Sequence, residues 1–135
     1  MTPRDGGKRV AARRLAWCVC AVLALVAGSA RAQKSTEQFI PIGLSPGVSQ
    51  KQTEIGTVES MNLRDLVVTV SESGMRRTIR LTARTHVWLD RSKLKLPNLE
   101  GSATDLLPGR RVEIKFENPV LRQVADWVKV EATQP

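Results

Sequence analysis

The side chains that could do chemistry in this sequence are few and scattered. His86 is the single histidine, and the carboxylates stand apart from one another along the chain. Metal sites and nucleophilic catalysis need several converging groups, which a lone histidine does not supply. None of the carboxylates forms an acid–base pair by its spacing; they are Asp65, Glu72, Asp90, Glu100, Asp105, Glu113, Glu117 and Asp126. The sequence therefore predicts no catalytic residue, metal site or cofactor, and indicates a protein that is not an enzyme.

A second set of side chains suits binding. Strand alternation places six basic or aromatic residues on the face that points away from the core: Arg76, Arg80, His86, Trp88, Trp127 and Lys129. Small barrels bind anionic chains by stacking bases or sugars on aromatic rings within a basic groove. One interpretation is therefore a site for an anionic oligomer, which would be an oligosaccharide, a lipid headgroup or a single-stranded nucleic acid. In the other interpretation, the two tryptophans are covered by a segment of the same chain.

The segment that could cover them is an arm over residues 33–52. Within it, residues 39–48 carry two prolines and two glycines, which exclude a regular helix and predict extended chain. A disordered linker seldom carries this many large apolar side chains. The arm is therefore predicted to dock, either on its own barrel or on a partner, through Phe39, Ile40, Ile42 and Leu44.

Beyond the arm, the hydrophobic pattern has the period of two that a half-buried strand requires, and it places Val112, Ile114 and Phe116 together on one face. Ser73 and Gly74 are typical of a tight hairpin turn, and Gly56 is predicted to mark a β-bulge. A short helical turn is predicted from Ser102 to Leu107, with a capping box closed by Asp105. The predicted strands cover residues 53–61, 66–70, 75–81, 85–89, 110–116 and 125–132.

Six short strands with close turns and one brief helical turn predict an all-β fold. We expect a small OB-like (oligonucleotide/oligosaccharide-binding) barrel of five to six strands over residues 53–135, with an SH3-like barrel as the alternative. Both cysteines, Cys18 and Cys20, lie in the N-terminal segment, so residues 33–135 contain no disulfide or thiolate. A closed barrel would suit such a chain, since it leaves no sheet edge.

The N-terminal segment itself has the three parts of a secretory signal peptide. A basic opening precedes an uncharged, mostly apolar run of 14 residues at positions 15–28, and Ala30 and Ala32 provide the small residues of a cleavage site. The apolar run is shorter than the roughly 20 residues that span a bilayer. Residues 1–32 are therefore predicted to be removed on export to the periplasm or the exterior, and contact with a membrane is expected only during export.

Export also changes the interpretation of charge. The full chain has 21 basic and 13 acidic residues, and residues 1–32 hold six of the former and one of the latter. The remaining 15 basic and 12 acidic residues give a net charge of only +3. This argues against a nucleic-acid partner. The predicted partner is another exported or envelope protein, with an anionic ligand as the alternative.

The order of these turns and core positions resembles a family of small exported bacterial domains of unknown function. Its pattern runs G-x-V, T-x-V, L-x-x-G-x-x-V-x-V and A-x-x-V-x-V. The matching segments lie within residues 53–132, at positions 56–58, 85–87, 106–114 and 125–130. The resemblance implies export, an OB-like barrel and a role as a non-catalytic module. It supplies no catalytic residues, and it does not extend to the arm.

Overall fold

The computed structural model describes residues 36–135, of which Glu37–Pro135 form one compact unit. The predicted signal peptide of residues 1–32, with Ala30 and Ala32, lies outside the described residues, as does the start of the arm. No helix in the described part of the chain is long and apolar enough to cross a membrane.

The fold is all-β, with strands wherever the alternating pattern predicts them. Short 3₁₀ turns occupy Ser92–Leu94 and Ala103–Asp105, and the second confirms the predicted turn before the core strand. A seventh strand, which the pattern did not predict, consists of two residues only. The strands are β1 (Thr53–Asn62), β2 (Val67–Glu72), β3 (Met75–Arg80), β4 (His86–Asp90), β5 (Leu99–Glu100), β6 (Arg111–Phe116) and β7 (Ala125–Glu131).

These strands form one sheet in the order β3-β2-β1-β6-β7-β4-β5. Neighbours are antiparallel except β4 and β7, which run parallel. The expectation of a closed barrel is wrong for this sheet, because the ladder ends at β3 on one side and at β5 on the other. The end of β3 approaches the residue before β7 through a single bridge between Arg80 and Val124.

The core lies on one face of this curved sheet, and alternation predicts most of it. Fully buried valines, isoleucines and Phe116 come from β1, β2, β3, β6 and β7. Leu66 and Leu99 are apolar but stay outside this core. Leu66 is 36% exposed because its positive φ of 52° places it in the turn before β2, and Leu99 is 44% exposed on the short edge strand.

Two turns form as their residues predict. Ser73 and Gly74 both have positive φ, at 49° and 83°, which is the geometry of a two-residue hairpin. Asn62 stabilises the turn between β1 and β2, since its Oδ1 accepts hydrogen bonds from the backbone N–H groups of Arg64 and Asp65. These turns fix the register of β1, β2 and β3.

The bulge in β1 lies at Glu59 and not at the predicted Gly56, because the register with β2 shifts between Val58 and Ser60. Gly56 has a different purpose. A Cβ at this position would lie 2.5 Å from the carbonyl oxygen of Ser71, so the close approach of β1 to β2 admits only glycine.

The arm also differs from its prediction. Residues 37–52 form successive turns, closed by hydrogen bonds such as Leu44 N–H to Pro41 O and Ser49 N–H to Ser45 O, and do not run as extended chain. Gly43 and Gly47 adopt positive φ, which lets the arm reverse direction twice within a few residues.

Candidate functional site

Three buried charged side chains lie on the face of the sheet opposite the core. Asp90, Glu113 and Lys129, on β4, β6 and β7, are 4%, 0% and 0% exposed. Glu113 and Lys129 face each other as cross-strand partners. We call these three residues the clasp face. Burying charges in this way is costly unless each is paired or hydrogen-bonded, so the identity of their partners decides what the face does.

Both carboxylate oxygens of Asp90 accept a hydrogen bond from a backbone N–H group. Its Oδ2 accepts a hydrogen bond from the backbone N–H of Ile42 in the arm, at 2.7 Å. Its Oδ1 accepts another from the N–H of Ser92, at 2.9 Å. Each oxygen therefore has a donor, and one of the two donors belongs to a residue 48 positions away.

Glu113 receives three donors. Oε2 accepts the backbone N–H of Gly43 at 2.7 Å, and Oε1 accepts the hydroxyls of Ser49 at 2.6 Å and Thr53 at 2.9 Å. Two carboxylates thus bind two consecutive backbone N–H groups, those of Ile42 and Gly43. The sheet therefore holds the arm by its main chain. These two bonds are stronger than neutral hydrogen bonds because their acceptors are charged.

Lys129 binds arm side chains. Its Nζ lies 2.9 Å from Glu37 Oε2 and 2.8 Å from Ser45 Oγ, and 4.6 Å from the centroid of the Trp127 ring. Ser45 also donates its hydroxyl hydrogen to Glu37, at 2.7 Å. The buried ammonium therefore has a carboxylate, a hydroxyl and an aromatic face around it, which together offset its loss of water.

A fourth contact joins Gln38 of the arm to the segment before β5. Asn98 donates its side-chain N–H to the carbonyl of Gln38 at 2.9 Å, and its Oδ1 accepts the N–H of Arg91 at 2.8 Å. Asn98 is itself only 5% exposed. The arm is thus fixed from Glu37 to Ser49 by side chains that come from three strands and one loop.

The predicted binding patch divides into two parts in this structure. Trp88 and Trp127 are 3% and 2% exposed, and Lys129 is inaccessible, which agrees with the interpretation that the tryptophans are covered and not with an open aromatic face. Trp88 lies on β4 with Asp90, and Trp127 lies on β7 with Lys129. The arm binds Asp90 and Lys129. His86 is half-buried and stacks on Trp88, with ring centroids 5.7 Å apart. The rings of Trp88 and Trp127 are therefore not accessible for stacking in this structure.

The two arginines of the patch lie elsewhere, on β3. Arg76 is exposed and forms an ion pair with Glu59, with Nε 2.8 Å from Oε2. Arg80 is also exposed. They share a strand at the end of the sheet, away from the clasp face on β4, β6 and β7.

Of the apolar residues predicted to hold the arm, one is buried. Ile42 is 7% exposed, whereas Phe39 and Leu44 are 61% and 65% exposed. Ile40 is half-buried. The arm also contacts the sheet through hydrogen bonds and the Lys129–Glu37 ion pair, which hydropathy does not reveal.

The residues that bind the arm were missed for a physical reason. Asp90 and Glu113 appeared as isolated carboxylates, because their convergence depends on strand order and register. Glu113 and Lys129 stand at outward positions of alternating strands, where the pattern predicts exposed side chains, so nothing in the sequence marked them as buried. Within residues 36–135, no group of three or more His, Cys, Asp and Glu side chains is arranged to hold a metal ion.

The structure also has a shallow polar groove of about 430 Å³ where the end of the arm meets β1, β2 and β6. Its lining includes Gln50, Thr57, Ser71 and Arg111. A smaller apolar pocket of about 250 Å³ lies beside the turn after β1, with Leu63 and Leu107 at its lining. Neither cavity contains His86, whose ring instead packs on Trp88.

Comparison with known proteins gives little beyond this geometry. No protein-family model matches the chain, and no curated protein matches it. Among solved structures, the chain is similar to the crystal structure of Ag(I)CusF, with 14% sequence identity and a TM-score of 0.39 over 58% of this chain and 93% of that one. The resemblance to the small exported domains of unknown function therefore stays a prediction.

Proposed function

We propose that this chain is a non-catalytic, exported binding module with an OB-like sheet, and that its clasp face recognises a turn-rich polypeptide segment. The observation that supports this most directly is the pair of backbone hydrogen bonds from Ile42 and Gly43 to Asp90 and Glu113. Carboxylates that accept consecutive main-chain N–H groups are suited to a polypeptide, and their charge would repel an anionic oligomer.

In this proposal the arm is the occupant of the face, bound within its own chain. The recognised features are an acidic residue for Lys129, an apolar residue followed by glycine, and a hydroxyl. In the arm these are Glu37, Ile42, Gly43 and Ser45. An exported or envelope protein that presents the same features would compete with the arm for the clasp face, and displacing the arm would be the regulated step.

The experiment frees the face and then offers it the arm as a separate peptide. Ile42→Asp places a charge at the buried arm position and should release the arm, since an unpaired charge there is costly. A labelled peptide of residues 36–52 should then bind the variant, measured by fluorescence anisotropy, and should bind the unmodified chain much more weakly because the face is occupied. Circular dichroism checks that the sheet is intact.

The matched control adds Lys129→Met to the Ile42→Asp chain. Methionine keeps much of the length of the side chain but loses the ammonium that binds Glu37 and Ser45. Peptide affinity should fall by about tenfold or more, as expected for losing a buried charged contact. Equal binding of the peptide to both variants, or no binding to either folded variant, would contradict the proposal.

A further inference from the structure

The strand at one end of the sheet has backbone groups without partners. All six residues of β3 (Met75–Arg80) pair with β2 on one side. Just past the strand, Leu81 N–H points toward β2 and binds Leu66 O, whereas Arg80 N–H points the other way and binds Gln123 O. Alternate residues of a strand direct their N–H and C=O groups to opposite edges. The backbone groups of Arg76 and Thr78 therefore point to the open edge, and among residues 36–135 none pairs with them.

The side chains along this edge are also distinctive. Arg76, Thr78 and Arg80 are exposed on the outer face, while Ile79 is fully buried in the core. Arg76 is paired with Glu59, but it is exposed enough that such a pair contributes little. The edge thus combines free main-chain donors and acceptors with two arginines spaced four residues apart, whose charges point to one side.

We infer that the open edge of β3 accepts an extended acidic peptide as an additional strand. Main-chain pairing with an open sheet edge is a common way to recognise peptides, and alternate side chains then provide specificity. Acidic residues at alternate positions of the incoming strand would face Arg76 and Arg80 across the new ladder, where opposite charges are favourable. The carbonyl of Gln123 already occupies Arg80 N–H and sets the limit of the added strand.

The same arginines exclude a second copy of this chain as the occupant. Antiparallel pairing of two β3 edges about Thr78 would place Arg76 of each copy opposite Arg80 of the other. Like charges directly opposite each other destabilise a strand pair, and charged edges of this kind oppose self-association. The edge is therefore selective for an acidic partner. This inference concerns a surface separate from the clasp face and does not depend on it.

The test uses a synthetic nine-residue peptide in which glutamate alternates with threonine and valine, labelled for fluorescence anisotropy and titrated with the whole chain. Thr78→Pro removes the free N–H from the open edge but leaves the bonds to β2, which come from the neighbouring residues. We expect it to weaken binding by about tenfold, as for the loss of one or two backbone hydrogen bonds. The control Thr78→Val keeps the N–H and should bind within about twofold of the original chain.

Charge is tested separately. The double variant Arg76→Gln, Arg80→Gln should bind about fivefold or more weakly and lose most of its salt dependence. A peptide with the same charges but an N-methyl group on every residue has no backbone N–H to donate and cannot pair as a strand, so it should not bind the original chain. This second peptide keeps the test decisive if Thr78→Pro fails to fold.

Three results would overturn the inference. The first is equal affinity for the methylated and unmethylated peptides, which would mean that charge attraction alone is responsible. The second is tighter binding of a single-stranded DNA of equal charge, which would make the edge a nucleic-acid site. The third is a concentration-dependent dimer in sedimentation that Thr78→Pro abolishes, which would make a second copy the occupant.

Discussion

At the scale of single residues, Glu113 accepts more hydrogen bonds from the arm and the start of β1 than Asp90 does. The buried carboxylate of Glu113 accepts one backbone N–H and two hydroxyls, and all three donors come from residues 43–53. Removing such an acceptor leaves buried donors unsatisfied, which costs more than the bonds themselves contributed. The residue therefore links the stability of the fold to the position of the arm.

The substitutions Glu113→Ala and Glu113→Gln should consequently differ. Alanine leaves three donors without an acceptor, and we expect the free energy of unfolding to fall by about 3 kcal/mol. Glutamine keeps an oxygen for Gly43 N–H, and the hydroxyls of Ser49 and Thr53 can rotate to accept from its amide, so the loss should be about 1 kcal/mol. Urea unfolding measures both, and equal losses would mean that these hydrogen bonds do not hold the arm.

Residue-level prediction succeeded where local pattern decides and failed where distant elements meet. The inward positions of Val112, Ile114 and Phe116 follow from alternation and are confirmed. The same alternation places Lys129 and Trp127 on the opposite face, but exposure there depends on whether another segment covers them. Because the arm turns at Gly43 and reaches residues up to 92 positions away, no local pattern could predict their burial.

At the scale of elements, the arm behaves as a part of the fold that is held by polar contacts. Its exposed apolar residues, Phe39 and Leu44, contribute little to docking, whereas Ile42 is buried between the two carboxylate contacts. Hydropathy placed these apolar residues together as arm contacts, and the structure separates them. The arm also has a definite register on the sheet, set by the N–H groups of Ile42 and Gly43.

A pair of matched substitutions tests this ranking. Ile42→Ala should lower the free energy of unfolding by about 2 kcal/mol, since it leaves a small cavity beneath the arm. Phe39→Ala should change it by less than about 0.5 kcal/mol, because the ring is largely in water. Thermal unfolding followed by circular dichroism measures the difference. A larger loss for Phe39→Ala than for Ile42→Ala would contradict this ranking, because it would mean that the ring of Phe39 is buried against another surface.

At the scale of the whole molecule, the sheet forms as its pattern predicts but does not close. Strand positions depend on alternation and turn residues, which are local. Closure would require β3 to pair with the chain leading into β7. Here only Arg80 and Val124 form such a bridge. The open edge of β3 follows from this arrangement, whereas the clasp face is covered because the arm binds it. The molecule therefore offers one surface already occupied by its own arm and another still available at the sheet edge.

Hydrogen exchange at the amides of Ile42 and Gly43 tests the central claim most directly. With the arm held on the clasp face, both amides donate to buried carboxylates and should exchange at least about tenfold more slowly than in a free peptide of residues 36–52. In the Glu113→Ala chain the protection of Gly43 should be lost while the strands remain protected. Exchange at the free-peptide rate for both amides in the unaltered, folded chain would contradict the account.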